Sequence, residues 1–265
     1  MPPSQLTLAA TQTLRQLAAR EPDAATLAQA PRHLAKWRAE LVANTILERS
    51  GTAILSGPFK GMDYAIRASE GSRSARLLGV YECSLALIIE EIITRAYPLV
   101  IDVGSAEGYY AIGLARRMPG ARVLARDDNP KAQALCRELA ARNGVADRVE
   151  IGGRMEHADF AICEDQSTVV ICDIEGAEAT LLDPISAPGL AHADILVECH
   201  DVMRPGLTAT LTARFAATHT VTRLDRQLDA STLPPWMEEM SDLDRLIALW
   251  EWRGGPTPWL WMQHK

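Results

Sequence analysis

The sequence is poor in the features that would tie it to a membrane, a disulfide scaffold or a nucleic acid. It has no run of about 18 apolar residues, so no membrane-spanning helix is expected. Its five cysteines (Cys83, Cys136, Cys163, Cys172 and Cys199) are an odd number, and none forms a C-x-x-C pair. That disfavours a disulfide framework and points to reduced, buried thiols in a cytoplasmic protein. The opening Met1-Pro-Pro-Ser4 lacks the basic start and apolar stretch of a secretory leader. A basic excess is also missing: the net charge is −7, which argues against a nucleic-acid partner. No internal repeat or low-complexity tract occurs. What remains is a chain of 265 residues, 48% apolar, enough for one large α/β domain with an N-terminal extension.

The most informative run is Val100-Ile-Asp-Val-Gly-Ser-Ala-Glu-Gly-Tyr-Tyr110. Leu99, Val100, Ile101 and Val103 suit a strand buried on both faces of a parallel sheet. Gly104 permits a tight turn, and Gly108 lets the chain approach a ligand closely where the next helix begins. The spacing Asp102-x-Gly104-x-x-x-Gly108 is not the G-x-G-x-x-G that cradles a pyrophosphate, which disfavours a nicotinamide-dependent oxidoreductase. It resembles the first motif of class I S-adenosylmethionine (SAM) methyltransferases. SAM carries an amino-acid tail, a sulfonium and a ribose with two hydroxyls, so carboxylates and close backbone suit it better than a phosphate cradle does.

Around this run the pattern alternates. Residues 1–50 read as helical, with a second helix opening at Pro31. Residues 51–97 hold a β-hairpin over 52–68 and a strong helix from Tyr81 to about Ala96. From 98 onward strands end at Ala125, Ile151, Cys172 and Glu198 with helices between, then come a strand at 219–224, a helix at 242–253 and a final strand at 259–262. Asn129 and Pro130 make a good helix start, and Gly144 a good stop. The implied fold is α/β: a Rossmann-like, doubly wound sheet, mostly parallel, with an antiparallel C-terminal strand and an N-terminal helical extension. Domains are drawn at 1–50 and 51–265. Ligands of such sheets sit at the carboxyl ends of the strands. Asp127, Asp128, Asp173, Glu198, His200 and Asp201 all fall there.

Two further segments narrow the resemblance. Asp173-Ile-Glu-Gly-Ala-Glu178 and Ile195-Leu-Val-Glu-Cys-His-Asp201 are similar to the fourth and fifth strand ends of FkbM-type methyltransferases. Gly57-Pro-Phe-Lys-Gly61, Leu78-Gly-Val-Tyr-Glu82 and Trp250-Glu-Trp-Arg253 fit the same pattern. The similarity spans roughly residues 50–265 and leaves the N-terminal helices without a family inference. An Asp-Ile-Glu-Gly fourth strand end, in place of Asn/Asp-Pro-Pro-aromatic, disfavours a DNA amine methyltransferase. The resemblance implies a SAM-dependent enzyme that methylates a hydroxyl of a sugar or secondary metabolite. An amine, carboxylate or thiol acceptor, or a non-catalytic binding module, are the rival readings.

Residue roles follow from this. Asp102, Gly104, Ser105 and Gly108 would form the cofactor turn. Asp127, 19 positions beyond Gly108, would accept both ribose hydroxyls, with Asp128 beside it. The segment 153–156, with Met155 as its candidate, would meet the adenine. Glu82 would either meet the SAM ammonium or simply favour a helix start. Asp173 or Glu175 would hold the SAM amino group or the acceptor hydroxyl. An alcohol needs its proton removed, and His200 is the candidate base, oriented by Asp201 or Glu198. A divalent metal among Asp173, Glu198, His200 and Asp201 is the alternative and is not favoured. Trp236, in the loop 227–241, is the aromatic most suited to acceptor contact, and that loop is the lid candidate. The N-terminal helices could mediate a homo-oligomer. No nucleic-acid or membrane partner is expected.

Overall fold

The computed structural model describes residues 3–21, 23–68, 71–231 and 233–265. Met1 and Pro2, and Thr232 within the 227–241 loop, therefore lie outside the described residues. Helix α1 (Gln5–Ala18) is capped by Ser4, which accepts the Thr7 N–H. Helix α2 runs over Ala24–Ser50. It does not open at Pro31 as the sequence suggested. Asp23 caps it by accepting the Thr26 N–H at 2.8 Å, so the helix begins earlier and passes through the exposed proline, lacking only the N–H the ring cannot supply. The last turns of α2 bury Val42, Ala43 and Ile46 in the main core.

Residues 52–68 bend back on themselves, but the described residues form only one antiparallel bridge there, Ala53–Asp63, in place of a full hairpin. The loop between carries Phe59 inward, against Gly113, where a Cβ would lie 2.5 Å from the ring. Helix α3 (Arg73–Leu78) follows. Glu82 then takes a left-handed conformation (φ 49°), so the expected long helix is split into a 3-10 turn, Cys83–Leu85, and α4 (Ala86–Arg95).

The alternating core then comes in order: β1 (Leu99–Val103), α5 (Tyr109–Arg117), β2 (Arg122–Arg126), α6 (Pro130–Arg142), β3 (Val149–Gly152), β4 (Thr168–Cys172), α7 (Glu178–Leu181), β5 (Asp194–Glu198), α8 (Leu207–Phe215), β6 (His219–Leu224), α9 (Asp242–Leu249) and β7 (Trp259–His264). Asn129 caps α6 with Pro130 at its first position, as read from the sequence. Helix α9 ends at Leu249, short of Arg253, because Trp250 is extended and Trp252 turns the chain at φ 67°. Among the described residues the strands form one seven-stranded sheet in the order β3-β2-β1-β4-β5-β7-β6. β1 to β5 are parallel and β7 runs antiparallel to both β5 and β6, so the Rossmann-like architecture is as the alternation implied.

Successive strand residues feed opposite faces. Val100, Val123, Val169, Ile171, Leu196, Trp259 and Trp261 pack under α2, α4, α5 and α6. Ile101, Val103, Val170, Ile195, Val197 and Leu260 pack with Phe160, Leu190, Leu211 and Phe215 on the other side. The strand order reverses between β1 and β4, and that switch point is where a ligand crevice belongs. No helix among the described residues is long and apolar enough to cross a membrane.

Ile46 is fully buried although it belongs to α2. Ile46→Ala is expected to cost about 2–5 kcal/mol, read from the urea midpoint. A change below about 0.5 kcal/mol, the range of ordinary surface substitutions, would show that α2 is not part of the core.

Candidate functional site

An open cleft of about 1140 Å³ runs along the carboxyl ends of the parallel strands. Pockets for single drug-sized ligands span ~300–1,000 Å³, so two small molecules can share it. One half is built on β1, β2 and β3. Gly104 turns at φ 79°, and a Cβ there would lie 1.8 Å from the Asp173 carbonyl oxygen, so only glycine fits. The turn is held on one side by its own N–H to the Arg126 carbonyl at 2.8 Å. On the other side the Asp173 N–H donates to Val103 at 2.9 Å. Asp127 accepts the Ala106 N–H at 2.9 Å and the Asn129 N–H at 2.8 Å, one on each carboxylate oxygen. Each oxygen keeps a second lone pair for a hydroxyl donor. Asp127, Asp128 and the buried Met155 line the cleft with Gly104.

Other residues expected in this half turn elsewhere. Asp102 is buried and accepts the Ala111 N–H at 2.9 Å, so it anchors the start of α5, and burial pushes its carboxyl up to about 7. Gly108 lies against α6, where a Cβ would come 2.6 Å from Cys136 Sγ, and its close approach is to protein. Ser105 is buried behind the turn. None of the three lines the cleft. Glu82 is also withdrawn. Its carboxylate binds Arg253 and accepts the Tyr110 hydroxyl, while its N–H donates to Glu251 at 2.8 Å. Burial, together with the charges of Glu251 and Asp173, holds its carboxyl well above the usual range.

The other half of the cleft centres on His200 at the end of β5, its side chain 6% exposed. Nδ1 lies 2.7 Å from Glu178 Oε1, and the same oxygen accepts the Gly176 N–H at 3.1 Å. Burial alone would raise the Glu178 carboxyl, but the hydrogen bonds from His200 and Gly176 win and keep it below its ordinary value. An ionised carboxylate only accepts, so Nδ1 carries the proton and Nε2 offers its lone pair. Nε2 is turned toward Asp173 Oδ1 (3.5 Å), Glu175 Oε2 (3.7 Å) and Glu198 Oε2 (3.7 Å). For His200, burial works to lower the pKa, yet the Glu178 hydrogen bond and the charges of Asp173, Glu178 and Glu175 raise it overall. Asp173, Glu175 and His200 each bring a donor atom within 4.8 Å of the others, a set that can also hold a divalent cation.

The orienting residue is therefore Glu178, not Asp201 or Glu198. Asp201 instead accepts the Thr208 hydroxyl and N–H in the first turn of α8. Glu198 is bound by Arg253, whose Nε also reaches Glu251 at 3.1 Å. Sequence reasoning gave Glu178 and Arg253 no role: three acids stand within six residues after β4, and spacing does not say which one turns inward. Trp236 does not reach the cleft. Its indole N–H donates to Ser50 at 3.3 Å under Arg49, and the fully buried Met237 beside it pins the proposed lid to the core.

No family model matches the chain. Two curated proteins, both named release factor glutamine methyltransferase, match short stretches. The one from Deinococcus radiodurans is 42% identical over 64 residues, 24% of this chain and 23% of that protein. The one from Chlorobaculum tepidum is 44% identical over 52 residues, 20% of this chain and 18% of that protein. The chain thus spans under a quarter of the length of the curated relatives it matches. Solved structures align over far more of the chain. An O-methyltransferase from Bacillus cereus in complex with SAH covers 100% of this chain and 93% of its own, at 11% identity and a TM-score of 0.43. The O-methyltransferase TomG from Streptomyces achromogenes, in complex with SAM, covers 85% and 89%, at 13% identity and a TM-score of 0.46.

The raised His200 pKa has a signed consequence. Its contribution to folding is complete below about 6.5, the unfolded value, and is lost as the pH rises through the higher folded value. An NMR titration of the imidazole should therefore give a pKa above that of a free histidine, and Glu178→Gln should bring it down. An unshifted wild-type value would contradict the pairing.

Proposed function

We propose that this chain is a SAM-dependent methyltransferase of FkbM type that methylates a hydroxyl oxygen of a small-molecule acceptor in the cytoplasm. The observation that carries this reading is the Glu178–His200 pair opening into the same cleft as the Gly104 turn and Asp127. The β1–β2–β3 half fits the donor: a glycine turn with no room for a Cβ, a carboxylate with two lone pairs to spare, and a buried methionine beside it. When bound there, SAM would supply a methyl group already activated on a sulfonium.

The chain's own residues would supply position and a base. His200 Nε2 would accept the acceptor's hydroxyl proton as the oxygen takes the methyl group, the donor's S–CH₃ bond breaking to leave a neutral thioether. The proton stays on the imidazole, and Glu178 stabilises the imidazolium through Nδ1. Asp173 and Glu175 flank that nitrogen, and their charges raise its basicity. An amine acceptor would depend less on His200, so the base is also what separates an oxygen acceptor from a nitrogen one.

Turnover with labelled SAM is expected to rise with pH through the His200 titration, because only the neutral imidazole accepts a proton. His200→Ala should lower kcat by roughly 10²–10⁴-fold and leave SAM affinity unchanged. Full activity in that variant would remove the base. Loss of activity on chelation, restored by Mg²⁺, would pass the role to a metal at Asp173, Glu175 and His200. Asp127→Ala should weaken SAM binding by about 10- to 100-fold, the scale of a hydrogen bond to a charged group. Unchanged affinity would remove its ribose role.

A further inference from the structure

The cations around the cleft are almost all neutralised by neighbours. Arg126 pairs with Glu150 at 2.5 Å, Arg154 with Glu156 at 3.7 Å, and Arg76 with the buried Glu107 at 3.1 Å. Arg253 is held by Glu82, Glu198 and Glu251. Among the described residues two remain, both on α2: Arg32 and Lys36, one turn apart and on one face of the helix. Neither has a carboxylate partner among the described residues.

Both are nevertheless held in place. Arg32 donates from Nη2 to the Trp252 carbonyl at 2.6 Å, which leaves most of its guanidinium N–H groups for another acceptor, and it lies 5.7 Å from the Trp250 ring. Lys36 is half-buried, with Nζ 4.8 Å from the centre of the Trp252 ring. The ring face stabilises an ammonium but does not cancel its charge. The Trp252 indole N–H is itself buried without an acceptor among the described residues. A half-buried ammonium and a guanidinium with donors to spare thus line the cleft beside Trp252. Asp173 and Glu175 also line the cleft and are acidic. An anion is attracted to the two cations and repelled by the acids.

We propose that Arg32 and Lys36 form an oxyanion subsite for the acceptor, so that the acceptor carries a phosphate or carboxylate seated against α2 while its hydroxyl reaches His200. The N-terminal helix then selects the acceptor, a role outside the region of family resemblance. As a statement about the acceptor, this rests on the methyltransferase reading. As a binding site, it stands alone.

The test titrates inorganic phosphate, and separately acetate, into the full chain by calorimetry, with and without saturating SAH. Saturable binding by wild type is expected, weakened at least fivefold in Lys36→Gln and in Arg32→Gln, and largely restored in Lys36→Arg. SAH affinity should be the same in all four proteins, which also shows that the variants are folded. The tighter of the two anions identifies the acceptor's group. Equal anion affinity in wild type and Lys36→Gln, or no saturable binding of either anion, overturns the subsite. Anion binding that depends on Lys36 in a protein that does not bind SAH keeps the subsite and overturns the methyltransferase reading.

Discussion

The carboxyl ends of β1 and β4 approach so closely that residue 104 has no space for a side chain. A Cβ at Gly104 would fall 1.8 Å from the Asp173 carbonyl oxygen. The same approach lets the Asp173 N–H donate to Val103. One steric limit therefore fixes two things together: the turn that lines one half of the cleft, and the position of the first acid of the other half. The rest of the site depends on that register. Asp127 can reach Ala106 because β2 pairs with β1, and His200 can face Asp173 because β5 pairs with β4.

Electrostatics then divides the cleft. The β4 and β5 ends bring Asp173, Glu175, Glu178 and Glu198 around one imidazole. Glu178 is withdrawn from solvent and takes Nδ1, Glu198 is taken by Arg253, and Asp173 and Glu175 line the cleft beside Nε2. The buried Arg253 cluster joins β5, the 3-10 turn after Glu82 and the loop before β7. It holds more acid than base, and burial raises the Glu82 and Glu251 carboxyls in response. Such an arrangement gives little net stability, since desolvating several charges offsets much of their attraction. What it supplies is position: it fixes the wall that also carries Trp252.

Much of this was legible in the sequence because it is local. Short continuous apolar runs marked β1, β4 and β5, each buried on both faces, and strand ends placed Asp127, Asp173 and His200 at one edge of the sheet. The direction in which each side chain turns was not legible. Asp102 stands in the motif beside Gly104, yet the unmet N–H groups at the start of α5 draw it inward, where it meets Ala111. Glu82 is drawn by an arginine 171 positions away. Trp236 is claimed by Ser50, and Lys36 is delivered to the cleft by a helix with no motif at all. For Glu82, Trp236 and Lys36 the deciding partner is remote in sequence, and no local pattern encodes it. Pro31 is different, because there a local cap at Asp23 outweighs the break that a proline alone suggests.

In the proposed reading, the Gly104–Asp127 half of the cleft holds a methyl donor. Isothermal titration of SAM into the full chain tests it most directly. One saturable site per chain is expected, with SAH competing for it. No detectable heat, with the protein shown to be folded by its cooperative thermal transition, would contradict it.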